Sequence, residues 1–138
     1  MGGKDAVGTG QLSRAPGLTL DSGALFAAER GDENVRNMIA KAAAGSIPLR
    51  VPAGVLAQVW RGSASPGLAH ALSGRMVQVI PLDERTAKGV GALLGRSGTS
   101  DIVDASVVLC ALVNGDRIVT SDPGDIRRLD PRAHVIPV

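Results

Sequence analysis

Hydrophobic and polar positions along the chain fall into two alternating periods. Leu18-Thr19-Leu20 is a short extended run that stops at Asp21, and Gly23 to Arg30 reads as a short helix. Val35, Met38, Ile39, Ala42 and Ala43 then recur at helical spacing, with Arg36, Asn37 and Lys41 on the opposite face, until Gly45. Ile47 to Val51 reads as a second strand, weakened at its start by Pro48. Pro52 opens a helix that carries Val55, Leu56, Val59 and Trp60 on one face and ends at Gly62. Ser65 to Leu72 is a short helix, with Pro66 suited to its first position. Val77 to Ile80 predicts a third strand and Asp83 to Leu94 a helix, with acidic residues in its first turn. Ser97 to Ser100 is a cap or turn. Asp101 to Val113 is almost apolar all round after its first turn, which suits a buried central helix. Asn114-Gly115 ends it. Ile118 to Thr120, Asp122 to Leu129 and His134 to Ile136 then predict strand, helix and strand.

Strands alternating with helices imply an α/β domain. Its mostly parallel sheet of about five strands would be covered on both faces. No internal repeat or linker divides it. With 138 residues, one domain is expected over 18–138, preceded by a flexible extension over 1–17. That extension lacks the apolar core of a signal peptide. The longest nearly apolar stretch, Ala105 to Val113, is too short to cross a membrane, so no membrane association is expected.

Composition narrows the chemistry. With 44% hydrophobic and 20% charged residues the chain can build a core, which excludes wholesale disorder. The lone Cys110 forms no internal disulfide and points to the cytoplasm. One cysteine and two histidines also exclude a Cys-rich zinc site. Phe26 and Trp60 are too few for a base-stacking platform. A net charge of +2, carried mostly by arginine, permits an anionic partner without requiring one.

Ligands of open α/β sheets bind at the carboxyl ends of the strands. Asp21 follows the first strand, and Asp122 the fourth. Asp101 and Asp104 open the apolar helix on one face, and Asp125 follows Asp122 by one turn. Each has a local alternative role as turn former, helix cap or surface residue. Together they would repel one another unless a cation or a proton intervenes. Oxygen-only ligands favour Mg²⁺ or Mn²⁺, and a carboxylate-held metal suits phosphoryl chemistry. No Walker loop and no nucleophile–histidine motif competes.

The runs LDSGALFAAERGD, VPAGVLAQVWRG, SDIVDASVVLCAL and VTSDPGDIRRL, in this order, resemble a PIN-domain ribonuclease, most of all the VapC toxins of bacterial toxin–antitoxin pairs. The resemblance spans Leu18 to Leu129. It implies a three-layer α/β/α fold and a metal-dependent endoribonuclease acting on RNA, including structured RNA such as tRNA or rRNA. It also implies a homodimer and a cognate VapB-type antitoxin. On this resemblance Asp21, Asp104 and Asp122 are the catalytic metal ligands, and Asp101 is an accessory carboxylate. One position departs from the pattern. The glutamate usual in the helix after the second strand is Gln58, which keeps a coordinating oxygen but loses a charge. Either Asp101 or Asp125 supplies that charge, or the metal is held more weakly, or activity is lost. The last case gives the alternative reading, a catalytically weak PIN domain that binds RNA or a partner. A receiver-type signalling domain would need a lysine after the last strand, where none stands. A haloacid dehalogenase would need an aspartate where Gly23 stands.

Overall fold

The computed structural model describes residues 15–138. In chain order the elements are β1 (Leu18–Leu20), α1 (Ser22–Glu29), α2 (Glu33–Ala44), β2 (Leu49–Pro52), α3 (Ala53–Trp60), α4 (Pro66–Leu72), β3 (Val77–Ile80), α5 (Glu84–Ser97), α6 (Ile102–Asn114), β4 (Arg117–Thr120), α7 (Pro123–Leu129) and β5 (Val135–Pro137). The five strands form one sheet in the order β3-β2-β1-β4-β5, and every pairing is parallel. The chain therefore winds outward from β1 to β3, then crosses back over the sheet to β4. The crossovers put α1, α2 and α4 together on one face and α5, α6 and α7 together on the other. The result is a three-layer α/β/α domain.

The core lies on both sides of β1, β2 and β4, whose apolar residues are almost all buried. Strands covered on both faces need continuous rather than alternating hydrophobicity, and the LTL and IVT runs supply it. α6 is the central helix and packs on β1, β2 and β4. Ala105, Val107, Val108 and Ala111 are buried, but its last turn emerges, leaving Leu112 54% and Val113 75% exposed. The expectation of a fully buried helix therefore fails at its C-terminal end.

Other boundaries shift for local reasons. β2 begins at Leu49, because Pro48 has no N–H to donate and Ile47 stays in the preceding turn. Pro52 closes β2 instead of opening α3. Trp60, expected on the packed face of α3, is 45% exposed, while Val55 and Val59 face the core. α5 runs past Leu94 to Ser97 and stops at Gly98, whose φ of 71° forms a left-handed cap.

A buried ion pair fixes the amino edge of the sheet. Arg50 and Asp116 meet at 2.6 Å, with side-chain exposures of 1% and 0%. Asp116 also accepts from the Thr19 hydroxyl at 2.8 Å and from Gly17 N–H at 2.7 Å. Arg50 Nη2 donates to the Ala15 carbonyl at 2.9 Å. Residues 15–17, expected in the extension, thus join the domain, while residues 1–14 lie outside the described residues. Among the described residues no helix is long and apolar enough to cross a membrane.

Candidate functional site

The strand order reverses between β1 and β4, so a crevice opens at their carboxyl ends. Three helices begin at aspartates of this region. Asp21 caps α1, accepting from Ala24 N–H at 2.8 Å. Asp101 caps α6, accepting from Asp104 N–H at 2.8 Å. Asp122 caps α7, accepting from Asp125 N–H at 3.3 Å. The local role of each is therefore real. A cap bond of this kind uses one oxygen, which leaves Asp101 and Asp122 acceptor capacity for a ligand, while Asp21 is the most heavily hydrogen-bonded of the three. The positive helix ends also offset part of the repulsion among the carboxylates.

Burial and neighbours tune these groups differently. Asp21 is buried, and burial pushes its carboxyl up. The Thr120 hydroxyl and the backbone N–H groups of Ala24, Ser121 and Gly23 counter that by bonding the charged form. Asp104 is half-buried, and its carboxyl is pushed up to about 6 by burial first, then by the charges of Asp101, Asp125, Asp21 and Asp122. The carboxyl of Asp125 is raised chiefly by a hydrogen bond and charge repulsion from Asp122, with Arg128 opposing. Arg128 reaches Asp125 at 3.1 Å.

The structure brings the other four predicted aspartates, Asp21, Asp101, Asp122 and Asp125, into electrostatic reach of Asp104. Asp101, Asp104 and Asp125 line one groove with Thr99, Ser100, Arg128 and Leu129. They do not close on a single point. Among the described residues no three Asp, Glu, His or Cys side chains cluster tightly enough to hold an ion by themselves. Gln58 is exposed on α3 and does not line the groove; its backbone oxygen accepts from Arg61. It shares a helix face with Gly54, which abuts Val103 of α6, the residue before Asp104.

Sequence reading singled out neither Arg128 nor Ser121. Arg128 looks like an ordinary cation in a helical last turn, and only the packing of α7 beside α6 turns it to the groove. Thr120, seen in sequence only as part of a Thr-x-Asp run, proves to be the bridge between two of the aspartates. It bonds Asp21, and its Oγ1 accepts from Asp122 N–H at 2.9 Å.

Three layers, this strand order and acidic helix starts at one sheet edge define a PIN-like α/β fold. The comparisons with known proteins agree at the level of fold. The chain is similar to a chain of DNA-bound VapBC from Salmonella typhimurium, with a TM-score of 0.64 and 18% identity over 88% of this chain and 98% of that one. It is similar to VapBC2 from Rickettsia felis bound to a promoter DNA fragment, with a TM-score of 0.62 and 17% identity over 87% of this chain and 97% of that one. It also resembles PAE2754 from Pyrobaculum aerophilum, with a TM-score of 0.62 and 19% identity over 91% of this chain and 88% of that one. No protein-family model and no curated protein matches the sequence.

Proposed function

We propose that this protein is a divalent-metal-dependent endoribonuclease, the toxin of a toxin–antitoxin pair. The observation that carries the reading is Asp104. It stands at the crevice where the strand order reverses, and the charges of four other aspartates reach it. A fold has little reason to gather such repulsion unless a cation relieves it.

The donor set fits Mg²⁺ or Mn²⁺. Mg²⁺ keeps several of its waters and takes one or two carboxylates plus substrate phosphate oxygens, so a closed protein cage is not needed. Asp21, Asp104 and Asp122 would hold the ion, with Asp101 and Asp125 as accessory charges. The bound ion supplies a water of lowered pKa and positive charge against the scissile phosphate. Without the ion, burial and the neighbouring aspartates push the Asp104 carboxyl up to about 6; a bound cation would favour its ionised, coordinating form. Asp21, locked by hydrogen bonds, keeps a fixed orientation. Exposed arginines would hold flanking phosphates by salt-sensitive contacts.

The VapBC neighbours support a VapB-type antitoxin as partner. A homodimer and a cytoplasmic site of action complete the reading. The test is cleavage of labelled structured RNA with Mn²⁺. Internal cuts that require the metal and vanish in Asp104→Asn support it.

One observation favours a second reading, a PIN domain that binds RNA or a partner without efficient cutting. Gln58 replaces a charge, and the carboxylates do not close into a cluster among the described residues. RNA binding that is unaffected by EDTA, with no metal-dependent cuts, would favour it.

A further inference from the structure

The tightest approach at the crevice involves no carboxylate. A methyl group at position 23 would lie 1.9 Å from Ser121 Oγ, 2.6 Å from Ser121 Cβ and 3.2 Å from Ser121 N. Heavy atoms do not approach so closely, so any residue other than glycine here must push Ser121 away. Ser121 is itself exposed and joins β4 to α7, so it can yield only outward, carrying that junction with it. Its neighbours are tied to the rest of the crevice. Thr120 Oγ1 accepts from Asp122 N–H at 2.9 Å, and the Val119 carbonyl accepts from Asp21 N–H at 3.1 Å.

Gly23 occupies the second position of α1, a site whose backbone suits alanine. Helix propensity alone would favour alanine there. The glycine is explained by space and not by conformation. Its bare Cα forms a notch in which the Ser121 side chain rests.

We propose that Gly23 is a positioning residue. The notch sets the separation between the Asp21 carboxyl and the β4–α7 junction that carries Asp122. A side chain at position 23 pushes Ser121 outward, breaks the Asp122 N–H bond to Thr120 Oγ1 and moves Asp122 out of line with Asp21. The consequence for cleavage rests on the nuclease reading above; the geometry does not.

Three variants test this: Gly23→Ala, Ser121→Gly, and the two combined. Two readouts are used, amide hydrogen exchange at residue 122 and Mn²⁺-dependent cleavage of labelled RNA. In Gly23→Ala the residue 122 amide, which donates to Thr120 Oγ1, loses protection, and kcat falls by about 100-fold, the loss expected of a displacement of about 1 Å, with a smaller change in KM. The double variant removes the serine side chain that the new methyl would strike. It recovers protection, and its kcat returns to within a few-fold of that of Ser121→Gly alone. If Gly23→Ala does not fold, the double variant alone decides: folded, protected and active supports the notch, whereas folded and unprotected overturns it. Protection and cleavage unchanged in Gly23→Ala would also overturn it, as would a double variant no better than Gly23→Ala. Wild-type protein that cuts no RNA would defeat the nuclease reading, and the exchange comparison would still decide the notch.

Discussion

Asp104→Asn separates stability from function at the crevice, and its effect has a computable size. The Asp104 carboxyl is raised from 3.8 to about 6 by burial and by four neighbouring aspartates. A shift of about two units corresponds to about 3 kcal/mol by the usual conversion. The group is only half-buried, so solvent screening reduces the expected effect to about 1–2 kcal/mol. The folded state binds the proton more tightly than the unfolded state. Stability therefore falls as pH rises between about 4 and about 6, and the full penalty stands above that window. Asparagine has the same size and no charge, so it removes the penalty. Its melting temperature in EDTA should exceed that of the wild type by about 3–8 °C at pH 7 for a domain of this size. The difference should shrink through the window and vanish below about pH 4. Millimolar Mn²⁺ should reverse the order, because only the wild type keeps the charged ligand, with a gain of about 2.7 kcal/mol at 100 times Kd. Thermal melts by circular dichroism across pH, with and without Mn²⁺, measure all of this. A variant no more stable than wild type at pH 7, or a difference independent of pH, would refute the electrostatic argument.

Two further outcomes are expected. Gln58→Glu should leave Mn²⁺ affinity in calorimetric titration unchanged within a few-fold, because residue 58 is exposed and outside the groove; a clear tightening that grows at low ionic strength, where screening is weaker, would place residue 58 within the ion's field. Asp116→Ala should destabilise the fold by about 3–5 kcal/mol in urea unfolding, because it removes the counter-charge of the buried Arg50 and the acceptor of Gly17 N–H and the Thr19 hydroxyl; a loss under about 1 kcal/mol would mean the pair is replaced by water.

The capping aspartates show why sequence reading treats such residues as ambiguous. Asp21, Asp101 and Asp122 each start a helix as a simple N-cap should. The charges of all three also reach Asp104. The two roles do not compete, because capping both fixes the carboxylate and points the positive end of the helix at it. A cap at the carboxyl end of a central strand is therefore well prepared to hold a ligand.

Local pattern alone determined the elements. Short apolar runs and period-3.6 hydrophobicity placed the five strands and seven helices of the described residues, because each must bury an apolar face wherever it ends up. The acidic positions were also legible, since Asp after a strand and Asp-x-x-Asp before an apolar run are local signals. The tertiary structure decided what no local signal carries. Trp60 emerges and Arg50 is buried because neighbours, not propensity, set exposure. The Arg50–Asp116 pair joins residues 66 positions apart, a distance no periodicity spans. Gly23 reads in sequence as an ordinary weak helix position, and only the return of β4 beside β1 makes it the seat of Ser121. The repulsion on Asp104 likewise exists only once the sheet order brings five separate carboxylates to one edge, where Coulomb energy depends on distance in space and not along the chain.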